Sequence, residues 1–368
     1  MAKVKFDEIA RECRSTFKGD KTGVAIVGLE HIVPNEMLVK NYEVDTENTF
    51  SKSFKKGQIL FGRRRAYQQK AGVATFDGIC SGDITVIEAI QGKVDKDLLP
   101  FIIQNERFFE HAVQGSAGSL SPRVKWEHLA SYEFDLPPLS EQKILADKLW
   151  AAYRLKESYK KLLAATDEMV KSQFIEMFGT LDEPKVEVKK LIDVVLSSGQ
   201  YGSNTSATDY QEGKPRYIRI TDINDDGSLN DDIKTAEVIE DKYKLIPGDI
   251  VFARTGATVG KTYMHETGNA IYAGYLIKYQ MDESKMKPAF MKAFTHSKTY
   301  YNWIANTQKV GAQPNISAAQ YDNMPVLVPQ IEKQEEFLTI YQQADKSKFE
   351  LRKSIDAIDA VIKSLINS

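Results

Sequence analysis

The sequence predicts an α+β fold in two similar halves, each a strand-rich globule followed by one long helix. Three observations predict it: an internal repeat, a heptad pattern closing each copy, and short β-branched runs broken by turn residues ahead of each heptad segment. Shifted by 191 positions, Gly57-Gln-Ile-Leu-Phe-Gly-Arg63 lies on Gly248-Asp-Ile-Val-Phe-Ala-Arg254, and Val27-Gly-Leu-Glu-His-Ile32 lies on Ile218-Arg-Ile-Thr-Asp-Ile223. A shift of 192 puts Pro122-Arg-Val on Pro314-Asn-Ile, and Pro137-Pro-Leu-Ser-Glu-Gln142 on Pro329-Gln-Ile-Glu-Lys-Gln334. Self-similarity at one offset means a single structural unit used twice, here of roughly 185 residues.

Within each copy the strands come first. Gly23-Val-Ala-Ile-Val27, Asp83-Ile-Thr-Val-Ile87, Pro215-Arg-Tyr-Ile-Arg-Ile220, Asp249-Ile-Val-Phe252 and Ile271-Tyr-Ala-Gly-Tyr-Leu-Ile277 are rich in residues that favour extended backbone, with Gly, Asn and Asp between them. Asp225-Asp-Gly-Ser228 reads as a turn, because Asp and Gly tolerate positive φ. Segments near 98–113 and 286–305 read as helices. In the second copy Phe337, Tyr341, Ala344, Lys348, Leu351, Ile355, Ile358, Ile362 and Leu365 alternate steps of four and three, the seam of a heptad helix with Lys348 as its one flaw. In the first copy Leu145, Leu149, Ala152, Leu155, Tyr159, Leu162, Thr166, Met169 and Phe174 keep that spacing less strictly. Pro137, Pro138 and Pro329 precede the two helices, where a missing N–H costs nothing. At ~1.5 Å per residue, about 38 residues make rods of ~55–60 Å, and two heptad rods of matching length in one chain are expected to pack on each other.

The composition excludes several classes. With 368 residues, 42% hydrophobic and 27% charged, the chain is neither disordered nor a disulfide-stapled miniature. No window approaches ~18 consecutive apolar residues, and Met1 to Asp7 lack a signal-peptide core, so no membrane association is expected. Two cysteines, Cys13 and Cys80, fit a reducing cytoplasm. Gly256-Ala-Thr-Val-Gly-Lys-Thr262 imitates a phosphate-binding loop, but it is one residue short and strand follows where a helix is needed. Asp182 with Glu187-Val-Lys189 imitates a nuclease carboxylate set across too short a gap. Leu136-Pro-Pro-Leu139 is similar to the Asp/Asn-Pro-Pro-aromatic loop of amino-methyltransferases, with the acid misplaced and the aromatic missing. The five histidines have no metal-binding spacing. By its residues the chain is a binder.

A net charge of -2 argues against nucleic acid held over the whole surface. Yet between Asn48 and Phe76 stand Lys52, Lys55, Lys56, Arg63, Arg64, Arg65 and Lys70 and no acid, with Tyr67 able to stack. Arg and Lys provide phosphate contacts, and Arg forks and amides read base edges. The corresponding region of the second copy carries Arg254, Thr255 and Lys261, with Arg216, Arg219, Lys309 and Gln313 in neighbouring loops; Arg123 joins the first set. These residues are the expected DNA contacts. Two similar but unequal globules imitate a DNA-binding dimer fused into one chain, which reads two different half-sites instead of a palindrome.

These features resemble the specificity subunits of type I restriction-modification systems, over the whole chain. The closest motifs are Leu136-Pro-Pro-Leu-Ser-Glu-Gln142, Lys171-Ser-Gln-Phe-Ile-Glu-Met-Phe-Gly179, Gly248-Asp-Ile-Val-Phe-Ala-Arg-Thr-Gly256 with Val259-Gly-Lys261, Tyr217-Ile-Arg-Ile-Thr-Asp-Ile223, Gln313-Pro-Asn-Ile-Ser317 and Asp345-Lys-Ser-Lys348. The resemblance implies target recognition domains at 1–138 and 181–328. It implies antiparallel coiled-coil spacer helices at 139–180 and 329–368, related by a pseudo-two-fold repeat. It further implies a non-catalytic chain with no metal or cofactor of its own, bound to double-stranded DNA and two methyltransferase subunits. S-adenosylmethionine, ATP and magnesium would then act on the partners, among them motor/nuclease subunits. In the first domain Phe61-Gly-Arg-Arg-Arg65 and Gly118-Ser-Leu-Ser-Pro122 depart from the family pattern, leaving its half-site undetermined. Two other readings stay open on the residues alone: a self-contained DNA-modifying enzyme, and a coiled-coil scaffold that binds only proteins.

Overall fold

The computed structural model describes residues 2–307 and 314–367. The chain forms two compact units, Met1–Lys160 with Arg352–Ser368, and Lys161–Leu351. Each unit therefore contains part of both long helices, Leu139–Phe178 and Ile331–Asn367.

The repeat in sequence is a repeat in backbone. In the first unit Ile59–Gly62 runs antiparallel to Ala71–Ala74 and to Ile84–Ala89. In the second, Ile250–Ala253 runs antiparallel to Thr262–Met264 and to Leu276–Tyr279. Ala25–Val27 pairs in parallel with Gly78–Cys80, as Arg216–Ile218 does with Ala270–Tyr272. Gly57 (φ +90°) and Gly248 (φ +94°) turn the chain into the central strand of each unit in the left-handed region, where a side chain is strained. Gly227 at φ +74° makes the turn expected from Asp225-Asp-Gly-Ser228. The run 271–277 is two strands instead of one, Ala270–Tyr272 and Leu276–Tyr279, separated around Gly274. The helical segments are Leu99–Ile103 and Glu106–Gln114 in the first unit, Pro288–Thr295 and Lys298–Thr307 in the second.

A buried glutamine closes each copy at the start of its long helix. Gln142 accepts from the Asp95 N–H at 2.8 Å and donates to the Pro137 carbonyl at 2.8 Å. Gln334 accepts from the Lys287 N–H at 2.9 Å and donates to the Lys285 and Pro329 carbonyls at 2.9 and 2.8 Å. Both are essentially inaccessible. Gln334→Leu strands these backbone groups in the interior and is expected to cost about 2–4 kcal/mol. A urea midpoint for the second unit that matches the parent's would refute that role.

The heptad reading of the second helix holds: its seam residues from Phe337 to Leu365 are all buried or half-buried. The first helix needs a correction, because Leu155, Leu162 and Met169 are exposed. Its packed stripe runs instead through Leu149, Tyr153, Lys156, Lys160, Leu163, Asp167, Val170 and Phe174, again in steps of four and three. Three of those positions carry charge, so a count of apolar residues settles on the wrong phase. The charges are paired. In the first unit Lys156 Nζ donates to Asp359 at 2.6 Å, and Lys160 pairs with Glu36 at 2.6 Å. In the second unit Lys348, the apparent flaw of the seam, pairs with Asp167 at 3.1 Å and Asp345 at 2.8 Å. In the second unit Asp167 meets Lys348 and Phe174 meets Phe337, so residue numbers on one helix rise as those on the other fall and the helices are antiparallel there. A charged pair in an apolar seam penalises other registers, since a shifted helix would bury either charge unpaired.

In the second unit His296 sits half-buried with Nδ1 2.7 Å from the Lys292 carbonyl, and a Cβ added at Gly227 would lie 2.9 Å from its Nε2. Burial lowers its pKa from the ordinary 6.5, opposed by the hydrogen bond to the Lys292 carbonyl and by the Asp226 carboxylate, while the Lys292 and Lys348 ammonium groups press the same way as burial. The unfolded chain therefore takes up the proton first. Stability of this unit is expected to fall as pH drops below 6.5 towards the lowered value, and His296→Gln to flatten that limb in urea midpoints measured between pH 7.5 and 5.5. An unchanged limb in the variant would assign it to other groups.

Candidate nucleic-acid interface

The strand Ile59–Gly62 delivers Arg63 to the rim of the first unit, and Ile250–Ala253 delivers Arg254 to the rim of the second. The hydrogen-bond frames of the two are superposable in kind. Arg63 N–H donates to the Asp83 carbonyl at 2.9 Å, and Arg254 N–H to that of Tyr275 at 3.1 Å. Each arginine carbonyl accepts from the matching loop, from Val124 at 2.9 Å and Ile316 at 2.8 Å. Gly62 N–H donates to the Lys70 carbonyl, and Ala253 N–H to that of Lys261. Arg63 thus matches Arg254, and Lys70 matches Lys261. Thr262–Met264 follows Lys261 as strand, so the imitation phosphate loop lacks its helix.

The acids missing from the basic run in sequence return in space. Asp83 accepts from Arg123 Nε at 2.6 Å and Nη2 at 3.2 Å, and lies 3.5 Å from Arg64 Nη1. The Arg123 guanidinium holds the Asp83 carboxyl below the usual range. Arg64 also donates to Ser121 Oγ at 2.9 Å. Asp77 pairs with Lys55 at 2.9 Å and accepts from the Lys56 N–H at 2.8 Å, leaving the exposed Lys56 ammonium on the surface. Lys52 Nζ donates to the Ile84 carbonyl at 2.6 Å, and Lys70 Nζ to that of Leu29 at 2.7 Å. Lys52 and Arg63 share an open cleft of about 490 Å³ with Arg14, Lys125 and Trp126, whose acids are Glu12 and Glu127. The Nε atoms of Arg63 and Arg65 are buried and have no hydrogen-bond partner among the described residues. A buried guanidinium N–H without an acceptor is costly unless something brings one. Tyr67 is well exposed beside them.

In the second unit Arg254 lies over the Tyr201 ring, 4.8 Å from its centroid, and its Nε is 3.3 Å from Asn315 Oδ1. Thr255 Oγ1 is 3.4 Å from the Pro314 carbonyl. Lys261 meets Asp225 at 2.8 Å and the Ile223 carbonyl at 3.3 Å. Arg216 donates through Nη2 to the Asn230 carbonyl at 2.5 Å, and its Nε is a third buried donor with no partner among the described residues. Arg219 is committed elsewhere: it pairs with the buried Asp222 at 2.5 Å and with Asp232 at 2.9 Å, clamping the turn Ile220–Asp222. Lys309 and Gln313 lie outside the described residues.

Among the described residues no group of His, Cys, Asp and Glu is placed to hold a metal ion, and no helix is long and apolar enough to cross a membrane. Burial pushes both cysteine thiols up to about 12, which keeps them protonated and poorly nucleophilic.

Against known families, the type I restriction modification DNA specificity domain matches the chain twice, over residues 8–165 and 183–358. The chain belongs to that family. Each match spans one copy of the repeat, with Arg63 in the first and Arg254 in the second. Its relatives include the specificity subunit of the type I restriction enzyme EcoBI of Escherichia coli, 24% identical over 303 residues, which cover 72% of this chain and 64% of the relative. The EcoKI specificity subunit of Escherichia coli strain K12 is 23% identical over 278 residues, 69% of this chain and 59% of the relative. The chain thus spans less than two thirds of the length of these relatives. Among solved structures it is similar to the S subunit of the type I restriction-modification system of M. genitalium, with a TM-score of 0.60 at 13% identity, covering 99% of this chain and 94% of that one. A chain of another type I system, solved for its complex assembly and conformational transition, matches with a TM-score of 0.59 at 16% identity over 100% and 96% of the two. These two likenesses establish the fold. What the family match shows is that each copy of the repeat is a type I restriction modification DNA specificity domain.

Sequence reasoning found Arg63, Arg254 and Lys261 through the repeat. It missed Asp77, Asp83, Ser121 and Tyr201, because each reaches the basic residues only through folding. Leu120 left one signal, a lone large apolar residue in Gly118-Ser-Leu-Ser-Pro122.

Proposed function

We propose that the chain reads a bipartite, non-palindromic DNA sequence, one half-site per unit, for a type I restriction-modification complex. The observation that carries this reading is the doubled family match, each copy presenting an arginine at the end of its central strand in the same hydrogen-bond frame. The first unit would contact DNA through Lys52, Lys55, Lys56, Arg63, Arg64, Arg65, Tyr67, Lys70 and Arg123. The second would use Arg216, Arg254, Thr255 and Lys261, with Lys309 and Gln313; Arg219 serves its turn instead. The target recognition domains are 1–138 and 181–328, with spacer helices at 139–180 and 329–368.

The exposed Leu155, Leu162 and Met169 of the first long helix, unused by the packed stripe, suit docking of two adenine methyltransferase subunits. S-adenosylmethionine then acts on those subunits, ATP and magnesium on motor/nuclease subunits joined through them, and the assembly works in the cytoplasm. Co-expression with the cognate methyltransferase and mapping of methylated adenines tests the reading. A split motif is expected, one half of which changes when one unit is exchanged. A palindromic or continuous motif, or methylation by the chain alone, overturns it.

A further inference from the structure

In the first unit the hairpin of Ser116–Ala117 and Arg123–Val124 carries Leu120 at its tip. Leu120 is 89% exposed, more than any other large apolar side chain among the described residues. It supports no core, and its neighbours Gly118, Ser119 and Ser121 are small, so the side chain stands clear of the loop. The loop itself is held. Arg64 donates to Ser121 Oγ through Nε at 3.2 Å and Nη2 at 2.9 Å, the Arg65 N–H donates to the Pro122 carbonyl at 2.8 Å, and Arg123 is locked to Asp83.

The facing loop, residues 63–70, is held in an unfavourable conformation. Arg65 (φ +55°) and Gln69 (φ +51°) lie in the left-handed region, where the second unit places Gly256 (φ +69°) and Gly260 (φ +87°). Glycine would adopt these angles freely, so the first unit keeps two side chains there against backbone preference. That backbone cost must be offset by the contacts that hold the loop. Arg65 has its Nε buried without a partner among the described residues, and Tyr67 stands exposed between the two strained positions.

We propose that these two loops form the base-reading element of the first unit, with Leu120 as an apolar wedge packed against a base step of the DNA and Arg65 donating to the base edge or phosphate beside it. The inference rests on the DNA-reading function proposed above. Arg64, Arg65 and Arg123 hold the loop that carries the leucine; Asp83 offsets one of these three charges, and the two left in excess fit a polyanion and not an apolar protein groove. Apolar side chains flanked by cations that unstack a base step are a recurrent way of gripping DNA.

The test uses the complex with its methyltransferase and the duplex defined by methylation mapping, with 2-aminopurine placed in turn at each step of the first half-site. The wild type is expected to raise the fluorescence at one step. Leu120→Ser is expected to abolish that rise and to weaken cognate binding by about tenfold or more, with the salt dependence and the second half-site unchanged. Arg65→Gly is expected to melt no lower than the parent, yet to lose affinity and flatten the salt slope by about one. Parent-like binding and half-site discrimination by Leu120→Ser overturn the wedge, as does loss of methyltransferase capture with DNA binding intact. If the wild-type complex itself recognises no split site, the DNA-reading function fails, a result distinct from failure of the wedge alone.

Discussion

Phe174→Ala is expected to destabilise the second unit by about 3–5 kcal/mol, the range for deleting a buried aromatic side chain. Phe174 is 2% exposed on the first long helix and stands 5.2 Å from Phe178, 5.6 Å from Phe290 and 5.4 Å from Phe337, centroid to centroid. One ring thus joins both long helices to the helix Pro288–Thr295, and its neighbours pack among themselves as well, Phe178 with Phe290 at 5.1 Å. Such a cluster cannot collapse onto the space left behind without breaking its other ring contacts. Hydrogen exchange checks the prediction by region. Amides of Ile250–Ala253 should lose protection while those of Ile59–Gly62 in the first unit keep theirs; equal loss in both strands, or in neither, would show that the cluster does not set the stability of its own unit.

The largest functional effect is expected for the pair Arg63→Ala and Arg65→Ala. Both residues are half-buried on the loop that follows Ile59–Gly62, and neither guanidinium pairs with a carboxylate among the described residues, so their charge is available to a phosphate or base edge. Together they should lower cognate affinity by on the order of a hundredfold and reduce the salt slope by about two. Arg219→Ala is the contrast. Its guanidinium closes a turn on Asp222, so the substitution should lower the melting temperature and leave the salt slope alone. A double variant that binds with parent-like salt dependence would place the DNA contacts elsewhere on the unit.

The two halves differ in how much of this was legible beforehand. The duplication was, because Gly57 and Gly248, or Gln142 and Gln334, hold one place in one chain pattern. The second long helix was too, since its seam is apolar except at Lys348. The first helix misled because Lys156, Lys160 and Asp167 sit in the packed stripe, and their partners Asp359, Glu36 and Lys348 lie far away in sequence. Charge was misleading in the same way. Seven cations without an acid read as a free basic face, until Asp77 and Asp83 meet Lys55, Arg64 and Arg123 across the loops.

By itself, then, the sequence determined what is local or periodic: two copies of one unit, the strand ending in Arg63 or Arg254, two long helices, and a family. These follow from spacing along the chain, which needs no knowledge of distant neighbours. Only the tertiary structure decided which cations are neutralised, which guanidinium N–H groups are left without an acceptor, and which face of the first helix is packed. Ion pairing and burial act between residues tens to hundreds of positions apart, and no periodicity in the sequence records that meeting.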